Sequence, residues 1–237
     1  IIEDIYRNIN PKYRLIAAFS SGISFVLLTG FSVNDINFLP INNLLSFYIV
    51  SLLFTSFAIT GISNSINIID GFHGLACGSL IIMLLAFAII SWEIQDLLVF
   101  NLSVIAIFIF FGFLVVNFPL GYIFLGDSGA YLGGFILSAI AIMLPSRNPE
   151  ISSWVSFLVC LYPITETLFS IYRKIKRKGH HPSKPDRVHL HMLIYRNISK
   201  NISKIIMLEN YRNSITSVIL WVYPLSTSII AVLVYKY

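Results

Sequence analysis

Long apolar segments alternate with short polar ones along the whole chain. Segments of about 20 mostly apolar residues have the length that an α-helix needs to cross the hydrocarbon core of a bilayer. They are continuously apolar, with no alternation, which favours helices over barrel strands. Seven are present, at about 14–31, 41–62, 74–92, 97–116, 130–145, 151–172 and 215–235. The pattern predicts an all-α fold, a polytopic membrane helix bundle of about seven transmembrane helices that forms one domain over residues 1–237.

Polar residues interrupt this pattern at four places. The patches are Glu3-Asp4, residues 64–74, residues 124–129 and residues 180–191. An even number of predicted crossings separates each patch from the next, so all four lie on the same side of the membrane. Polar residues placed at random in loops would be distributed over both sides. The arrangement therefore predicts a single site.

The charged residues exclude an ordinary soluble domain and give the orientation. Only 11% of the residues are charged, against roughly a quarter in soluble domains. The loop 173–214, which is basic and rich in histidine, holds eleven of the sixteen Lys and Arg residues. Because positively charged loops stay inside, this loop and the four patches are expected in the cytoplasm. The net charge of +5 indicates anionic lipid or phosphate partners, and no nucleic-acid module accompanies it.

Asn64, Asn67 and Asp70 follow one another at intervals of three residues, which makes them neighbours on a helix. They come at the inner end of the second predicted span. A carboxylate beside a membrane is costly unless it is paired, hydrated or bound to a cation. Asp70 is therefore a candidate catalytic residue and metal ligand, with the two asparagines as candidate substrate ligands. The alternative is a simple helix cap that is solvated among the lipid headgroups.

The segment Gly126-Asp127-Ser128-Gly129 directly precedes the fifth predicted span. A helix N-terminus offers unpaired N–H groups and a partial positive charge, which suits a phosphate group. Asp127 is thus a second candidate metal ligand and catalytic residue. The alternative here is an ordinary helix start capped by Asp127 or Ser128.

Residues 180–191 contain four of the five histidines of the chain, together with Lys184 and Arg187. A zinc site is the alternative, but no cysteine lies nearby and no histidines are spaced four apart. A basic loop held on anionic lipid explains the lysines and arginines, but not histidines that are mostly neutral at pH 7. Lys184, Arg187, His189 and His191 are therefore candidate ligands for a polar substrate.

Carboxylates and a basic loop on one face form a combination suited to a diphosphate. Carboxylates bind Mg²⁺ (or Mn²⁺), the metal binds a diphosphate, and cationic groups bind the remaining phosphate charge. No Walker lysine or kinase signature is present, so the donor is expected to be a nucleotide-diphosphate compound rather than ATP. Cys77 and Cys160 fall inside predicted spans and are expected to be small packing residues.

Three motifs resemble the polyprenyl-phosphate N-acetylhexosamine-1-phosphate transferases. They are residues 64–76 (NSINIIDGFHGLA), 124–130 (FLGDSGA) and 185–191 (PDRVHLH), which match in order and in membrane side. That family includes the phospho-MurNAc-pentapeptide translocase and the GlcNAc-1-phosphate transferases that initiate O-antigen and teichoic acid synthesis. The resemblance covers essentially the whole chain. It implies a fold of ten or eleven helices, so about three N-terminal spans are expected to precede Ile1.

The resemblance also implies an activity. A sugar 1-phosphate would pass from a UDP-N-acetylhexosamine to undecaprenyl phosphate at the cytoplasmic face of the bacterial inner membrane, with release of UMP. This step would initiate the synthesis of O-antigen, capsule or another cell-envelope glycan. Glu3-Asp4 looks like the Asp-Asp pair of the family, and Asp127 corresponds to its magnesium ligand. Asp70 matches the first acid of its Asp-Gly-x-Asp-Gly motif.

Three departures from the family pattern affect the expected identity of the transferred sugar more than the expected class of reaction. Glu3 replaces the first Asp of the acidic pair, and Met192 replaces the third polar residue of a His-Ile-His-His pattern. His73 stands where the second Asp of Asp-Gly-x-Asp-Gly lies, so it is a candidate substrate ligand whose family role is not carried over. The Pro-Asp-Arg before the histidines is closer to the O-antigen or capsule branch than to the peptidoglycan branch.

The expected mechanism is direct attack of the lipid phosphate on the β-phosphorus of the donor, with Asp4 positioning or deprotonating the acceptor. A covalent aspartyl intermediate is the rival mechanism. Two other functions stay open: a flippase for a lipid-linked sugar, and a non-catalytic remnant of the family. The flippase is disfavoured because the charges cluster at one interface and no internal repeat is visible. A homodimer is also left open.

Overall fold

The structure is a computed structural model that describes residues 11–176, 189–205 and 207–236. Glu3, Asp4, Lys184 and Arg187 lie outside the described residues, so their predicted roles stay predictions. The described residues form helices and no strand, which confirms the all-α prediction. In chain order the helices are α1 Pro11–Thr29, α2 Leu39–Leu45, α3 Tyr48–Ile69, α4 Leu75–Glu93, α5 Leu97–Asn117, α6 Gly126–Arg147, α7 Ser153–Val159, α8 Leu161–Lys176, α9 Leu190–Ile194, a π-helical turn Tyr195–Ser199, α10 Lys200–Ile205, a 3₁₀ turn Glu209–Tyr211 and α11 Arg212–Val234.

Five of the described helices are long and apolar enough to cross a membrane. They are α3, α4, α5, α6 and α11, and the number rises to six if α7 and α8, bent by 73° relative to each other, form one broken span. The predicted first span is present as α1 but is not among these six. Its first turns carry Lys12 and Arg14, which shortens the apolar part of a helix of 19 residues. The polytopic helix bundle is confirmed, with five or six candidate spans among the described residues beside the predicted number of about seven.

Helix α4 is the centre of the bundle. It packs against α5, α6 and α11, and 13 of its 19 residues are buried. Buried Cys77 belongs to this helix, and Cys160 lies buried at the bend between α7 and α8. Both cysteines are therefore packing residues, as predicted.

Small residues allow close approach at three helix contacts, as is common in membrane bundles. A Cβ added to Gly134 of α6 would lie 2.4 Å from Cα of Ser63 on α3. A Cβ added to Gly22 of α1 would lie 2.8 Å from Cα of Ser56, also on α3. At Gly78 of α4 the Cβ would overlap the ring of Trp221. Helix α3 is thus held tightly between α1 and α6.

The alternating helix directions give the bundle two ends of different composition. One end, called the polar end below, contains the first residues of α1, α4, α6 and α11 and the last residues of α3, α5 and α8. The opposite end contains the ion pair of Arg147 Nε with Asp96 Oδ2, at 2.8 Å. Residues 64–74, residues 124–129, His189 and His191 all belong to the polar end.

Candidate functional site

The carboxylate of Asp70 lies where the end of α3 meets the start of α6. The backbone N–H of Gly126 donates a hydrogen bond to it, and Asp127 is the next residue. Gly126 adopts a φ of +64°, a conformation that glycine tolerates and other residues rarely adopt. Burial raises the pKa of Asp70 to about 6, and the Gly126 hydrogen bond opposes that rise. The two candidate metal ligands are therefore neighbours in space, although 57 positions separate them in the sequence.

Asp127 is ion-paired with Arg14, whose Nη1 donates to the carboxylate oxygen Oδ2. The side chains are 24% and 25% exposed, so a ligand from outside the bundle reaches the pair. Arg14 belongs to the first turns of α1, which brings this helix to the polar end. Sequence reasoning missed Arg14 as the partner of Asp127.

Asn64 and Asn67 differ in their surroundings. The hydroxyl of Tyr131 on α6 donates to Asn64 Oδ1 at 3.0 Å, so Asn64 helps to fix α3 against α6. Asn67 lies one turn closer to Asp70 and is partly buried. Its amide forms no hydrogen bond with the residues that the structure describes. Of the two, Asn67 is the better candidate for a ligand contact.

His73 is held firmly in the loop between α3 and α4. Its backbone N–H donates to Asn213 Oδ1 at 2.7 Å, and its Nδ1 lies 3.1 Å from the carbonyl oxygen of Pro119. Because Nδ1 faces a carbonyl oxygen, it carries the proton in this contact. The ring also contacts Phe124, with 5.5 Å between ring centroids. His73 thus ties three segments together, and its role as a substrate ligand stays a prediction.

His189 and His191 stack on each other, with ring centroids 5.2 Å apart and planes 7° from parallel. His191 is buried, and its Nδ1 lies 2.6 Å from Oε1 of Glu166 on α8. The edge of the Phe72 ring packs against it, with 5.4 Å between centroids. A Cβ on Gly71, the residue after Asp70, would lie 3.7 Å from His191 Nε2. The structure therefore brings His191 to the loop that follows Asp70.

Glu166, like Arg14, is a residue of this site that sequence reasoning missed. It is a buried carboxylate in an otherwise apolar predicted span. Ionisable residues within such spans are expensive and mark functional positions by default. That rule, applied to the segment 151–172, would have selected Glu166 without any structure.

Two neighbouring carboxylates fit a magnesium ion better than a closed metal cage. Among the described residues, no group of three or more His, Cys, Asp and Glu side chains is placed to hold a metal. Mg²⁺ commonly uses one or two protein carboxylates and takes its other ligands from water and substrate phosphate. Asp70 and Asp127 offer that kind of donor set. Burial disfavours the ionised form of Asp70, and a bound cation would offset that cost. The zinc alternative finds no support in the described part of the chain.

Sequence comparison identifies the family. Residues 1–145, more than half of the chain, match the family described as glycosyl transferase family 4. The chain belongs to glycosyl transferase family 4. The resemblance stated from the three motifs is thereby confirmed.

The relatives that match the chain are transferases by name. A Bacillus subtilis (strain 168) protein, named a probable undecaprenyl-phosphate N-acetylglucosaminyl 1-phosphate transferase, is 36% identical over 135 residues, which are 56% of this chain and 37% of that protein. The phospho-N-acetylmuramoyl-pentapeptide-transferase of Enterococcus hirae is 36% identical over 165 residues, 67% of this chain and 48% of that protein. The enzyme of that name from Staphylococcus haemolyticus (strain JCSC1435) is 30% identical over 188 residues, 75% of this chain and 57% of that protein. The chain thus spans between about a third and somewhat more than half of these relatives.

Proposed function

We propose that this chain transfers an N-acetylhexosamine 1-phosphate from a UDP-sugar to undecaprenyl phosphate and releases UMP. The names of the relatives support a polyprenyl-phosphate sugar-1-phosphate transferase. The observation that carries the proposal is the meeting of Asp70, Asp127 and His191 at one end of a membrane helix bundle. Soluble donor and lipid acceptor would meet at such an end, since one arrives from water and the other from the bilayer.

The excess of Lys and Arg in residues 173–214 supports a cytoplasmic position for this end, and so an enzyme of the bacterial inner membrane. Initiation of O-antigen or capsule synthesis is the pathway that we propose, on the Pro185-Asp186-Arg187 segment before the histidines. That segment lies outside the described residues, so the argument for the pathway is one of sequence alone.

Magnesium is part of the proposal, with Asp127 and Asp70 as its protein ligands. When bound, it would neutralise the charge of the donor diphosphate and stabilise the charge that develops in the transition state. Asp127 would then exchange its contact with Arg14 for the cation. The released guanidinium would lie beside the diphosphate, where a planar cation binds phosphate oxygens well.

The reaction is a displacement at phosphorus. An oxygen of the lipid phosphate forms a bond to the β-phosphorus of the donor, and the bond from that phosphorus to the bridging oxygen breaks, so that UMP leaves with the electron pair. A phosphate monoester is largely ionised at pH 7, so the chain needs no strong base. Asn67, His189 and His191 would orient the donor, and Asp4, whose structure is not described, would position the acceptor.

The test is UMP release by membranes that contain the protein, given UDP-N-acetylglucosamine and undecaprenyl phosphate. We expect release that depends on both substrates. A flippase or a non-catalytic remnant would release none, and that outcome would overturn the proposal. UMP released by the donor alone, together with a radiolabelled protein adduct, would establish the covalent mechanism in place of direct displacement.

A further inference from the structure

The structure pairs a buried carboxylate with a buried imidazole beside the proposed donor site. Oε1 of Glu166 lies 2.6 Å from Nδ1 of His191. The same oxygen accepts the backbone N–H of His191 at 3.2 Å. The other carboxylate oxygen of Glu166 has no hydrogen-bond partner among the described residues. Burying a carboxylate is costly, and a purely apolar residue would pack at this position at lower cost.

Neighbouring contacts fix both members of this pair. Thr167, next to Glu166 on α8, donates from its hydroxyl to Ser65 Oγ on α3 at 2.9 Å. The His191 ring contacts both the stacked ring of His189 and the ring of Phe72, which meets it at 69°. Nδ1 lies beside Oε1 of Glu166, although its N–H is not aligned with that oxygen, and the other nitrogen, Nε2, faces Gly71. In this arrangement Nε2 is the ring nitrogen that lies toward the loop that follows Asp70.

We propose that Glu166 is a positioning residue for His191. Its carboxylate accepts the Nδ1 proton, which fixes the tautomer and directs Nε2 at the diphosphate of the donor substrate. Carboxylate–imidazole pairs act in this way on metal-bound and catalytic histidines. When the ring takes up a second proton on Nε2, that N–H donates a hydrogen bond to a phosphate oxygen, and the negative charge of Glu166 offsets the positive charge of the imidazolium. The donor diphosphate in this inference rests on the proposed function.

A double-mutant cycle tests whether Glu166 acts through His191. We expect Glu166→Ala and His191→Ala each to lower kcat/KM for the UDP-sugar by about 10- to 100-fold, the usual effect of removing such a partner. The double variant should be no slower than His191→Ala alone, because the function of Glu166 is already lost with its partner. If the loss of kcat/KM in the double variant equals the product of the two single losses, the residues act independently and the inference is overturned.

Conservative variants separate positioning from packing. Glu166→Gln keeps the shape and an acceptor oxygen but loses the charge, so it should fold as the wild type does and retain activity between that of the wild type and Glu166→Ala. Thr165→Val, next to Glu166 on α8, is the matched control, because it removes the hydroxyl that bonds to the Tyr162 carbonyl and to Tyr223 of α11 but leaves the Glu166–His191 contact in place. Its kcat/KM should equal that of the wild type. A Glu166→Gln variant as slow as Glu166→Ala, with an equal loss of thermal stability in both, would indicate packing alone.

A spectroscopic measurement tests the pair without any activity. In protein labelled with ¹⁵N-histidine, the His191 signal (identified by its loss in His191→Asn) should show a protonated Nδ1 that changes markedly in Glu166→Gln. A wild-type ring protonated only at Nε2 would contradict the inference. If the wild type releases no UMP, the proposed function fails, but the spectrum still shows whether Glu166 holds a proton on Nδ1 of His191. If the wild type is active and the cycle is additive, only the positioning role fails.

Discussion

Asp127 has a cationic partner in the structure and a second one in the proposed reaction. Arg14 pairs with it now, and a divalent cation would replace Arg14 when the donor binds. The guanidinium of Arg14 offsets the negative charge of the Asp127 carboxylate in the absence of the metal. Asp70 has the contrary environment, because burial raises its pKa to about 6. A cation bound between them would relieve the cost of ionising Asp70.

Asp127→Asn should abolish transfer while the protein still folds. The amide has the shape of the carboxylate but not its charge, and loss of one metal-binding carboxylate costs several kcal/mol of transition-state stabilisation. UMP release at saturating Mg²⁺ measures the effect. Asp35→Asn, an exposed acid at the opposite end of the bundle, is the control and should be fully active. Normal turnover by Asp127→Asn would disprove the metal assignment.

His189→Ala and His191→Ala should impair the use of the UDP-sugar far more than that of the lipid acceptor. The two rings stack at the polar end, and the buried ring of His191 borders the loop that follows Asp70. Steady-state kinetics with each substrate varied in turn separate the two effects. A rise in KM for polyprenyl phosphate alone would mean that these histidines bind the lipid.

At the scale of the helices, the contact between α3 and α6 decides the geometry of the site. Asp70 follows the end of α3 and Asp127 lies in the first turn of α6, so the separation of these helices sets the separation of the two carboxylates. Gly134 lets the helices approach, and Tyr131 bonds to Asn64 one turn nearer the polar end. Small shifts between α3 and α6 are therefore expected to affect activity as well as stability.

Gly134→Ala should lower both stability and turnover. Its Cβ would lie 2.4 Å from the backbone of Ser63, which cannot move without moving α3, and such overpacking typically costs about 1–3 kcal/mol. Gly61→Ala on α3 is the matched control, since its Cβ would meet no atom within 4 Å. Thermal unfolding in detergent and UMP release measure the two effects. Equal behaviour of the two variants would show that the α3–α6 contact adjusts without cost.

Asp96 should stabilise the opposite end of the bundle in a pH-dependent way. Burial alone would raise the pKa of Asp96, but hydrogen bonds from Arg147, Asn148 and the Val99 N–H lower it below its ordinary value of 3.8. The contribution of Asp96 to the free energy of unfolding is therefore complete above about pH 4. It is lost as the pH falls through the lower pKa that Asp96 has in the folded state. Because Asp96 also caps α5, Asp96→Ala should cost about 2 kcal/mol at pH 7.

Urea unfolding of Asp96→Ala and wild type in detergent, at pH 7, 5 and 3, measures this contribution. The difference between the two proteins should be equal at pH 7 and pH 5 and smaller at pH 3. A difference that grows as the pH falls would contradict the assigned direction of the shift.

At the scale of the whole molecule, the proposed site depends on the polar end lying on one side of the membrane. Introduced cysteines test this, with Cys77 and Cys160 first replaced by Ala. Ser65 is a poor position for a reporter because it is buried and bonded to Thr167. Tyr122 and Lys204 at the polar end are exposed, as is Glu150 at the other end.

Cysteines at positions 122 and 204 should react with an impermeant thiol reagent only after the cells are opened, and a cysteine at position 150 should react in intact cells. This outcome follows from the excess of basic residues in the loop 173–214. If positions 122 and 204 react from different sides, the polar end does not form one site in the membrane. The transferase proposal would then lose its physical support.

The hydrophobic pattern was sufficient for the helices, because a membrane span is specified by local composition and length. It predicted α4, α5, α6 and α11 within a few residues but placed α3 at 41–62, about two turns before its observed position Tyr48–Ile69. The parity of the crossings placed Asp70, Asp127 and His191 at one end. The pattern predicted α1 as a helix, although Lys12 and Arg14 make α1 less apolar than the five long spans, and it did not show the 73° bend that separates α7 from α8. A bend depends on how neighbouring helices pack, which the composition of a segment does not encode.

The side-chain partners were decided by the tertiary structure alone. Parity brings Asp70 and Asp127 to the same side of the membrane, but only the close α3–α6 contact at Gly134 makes them neighbours through Gly126. Arg14 reaches Asp127 across 113 residues, and Glu166 reaches His191 because α8 packs along α3 and the chain returns past residue 189. The sequence determined which residues are polar within an apolar protein and on which side they lie. Which of them bond to each other depends on long-range packing, since an ångström of helix separation decides whether a hydrogen bond forms.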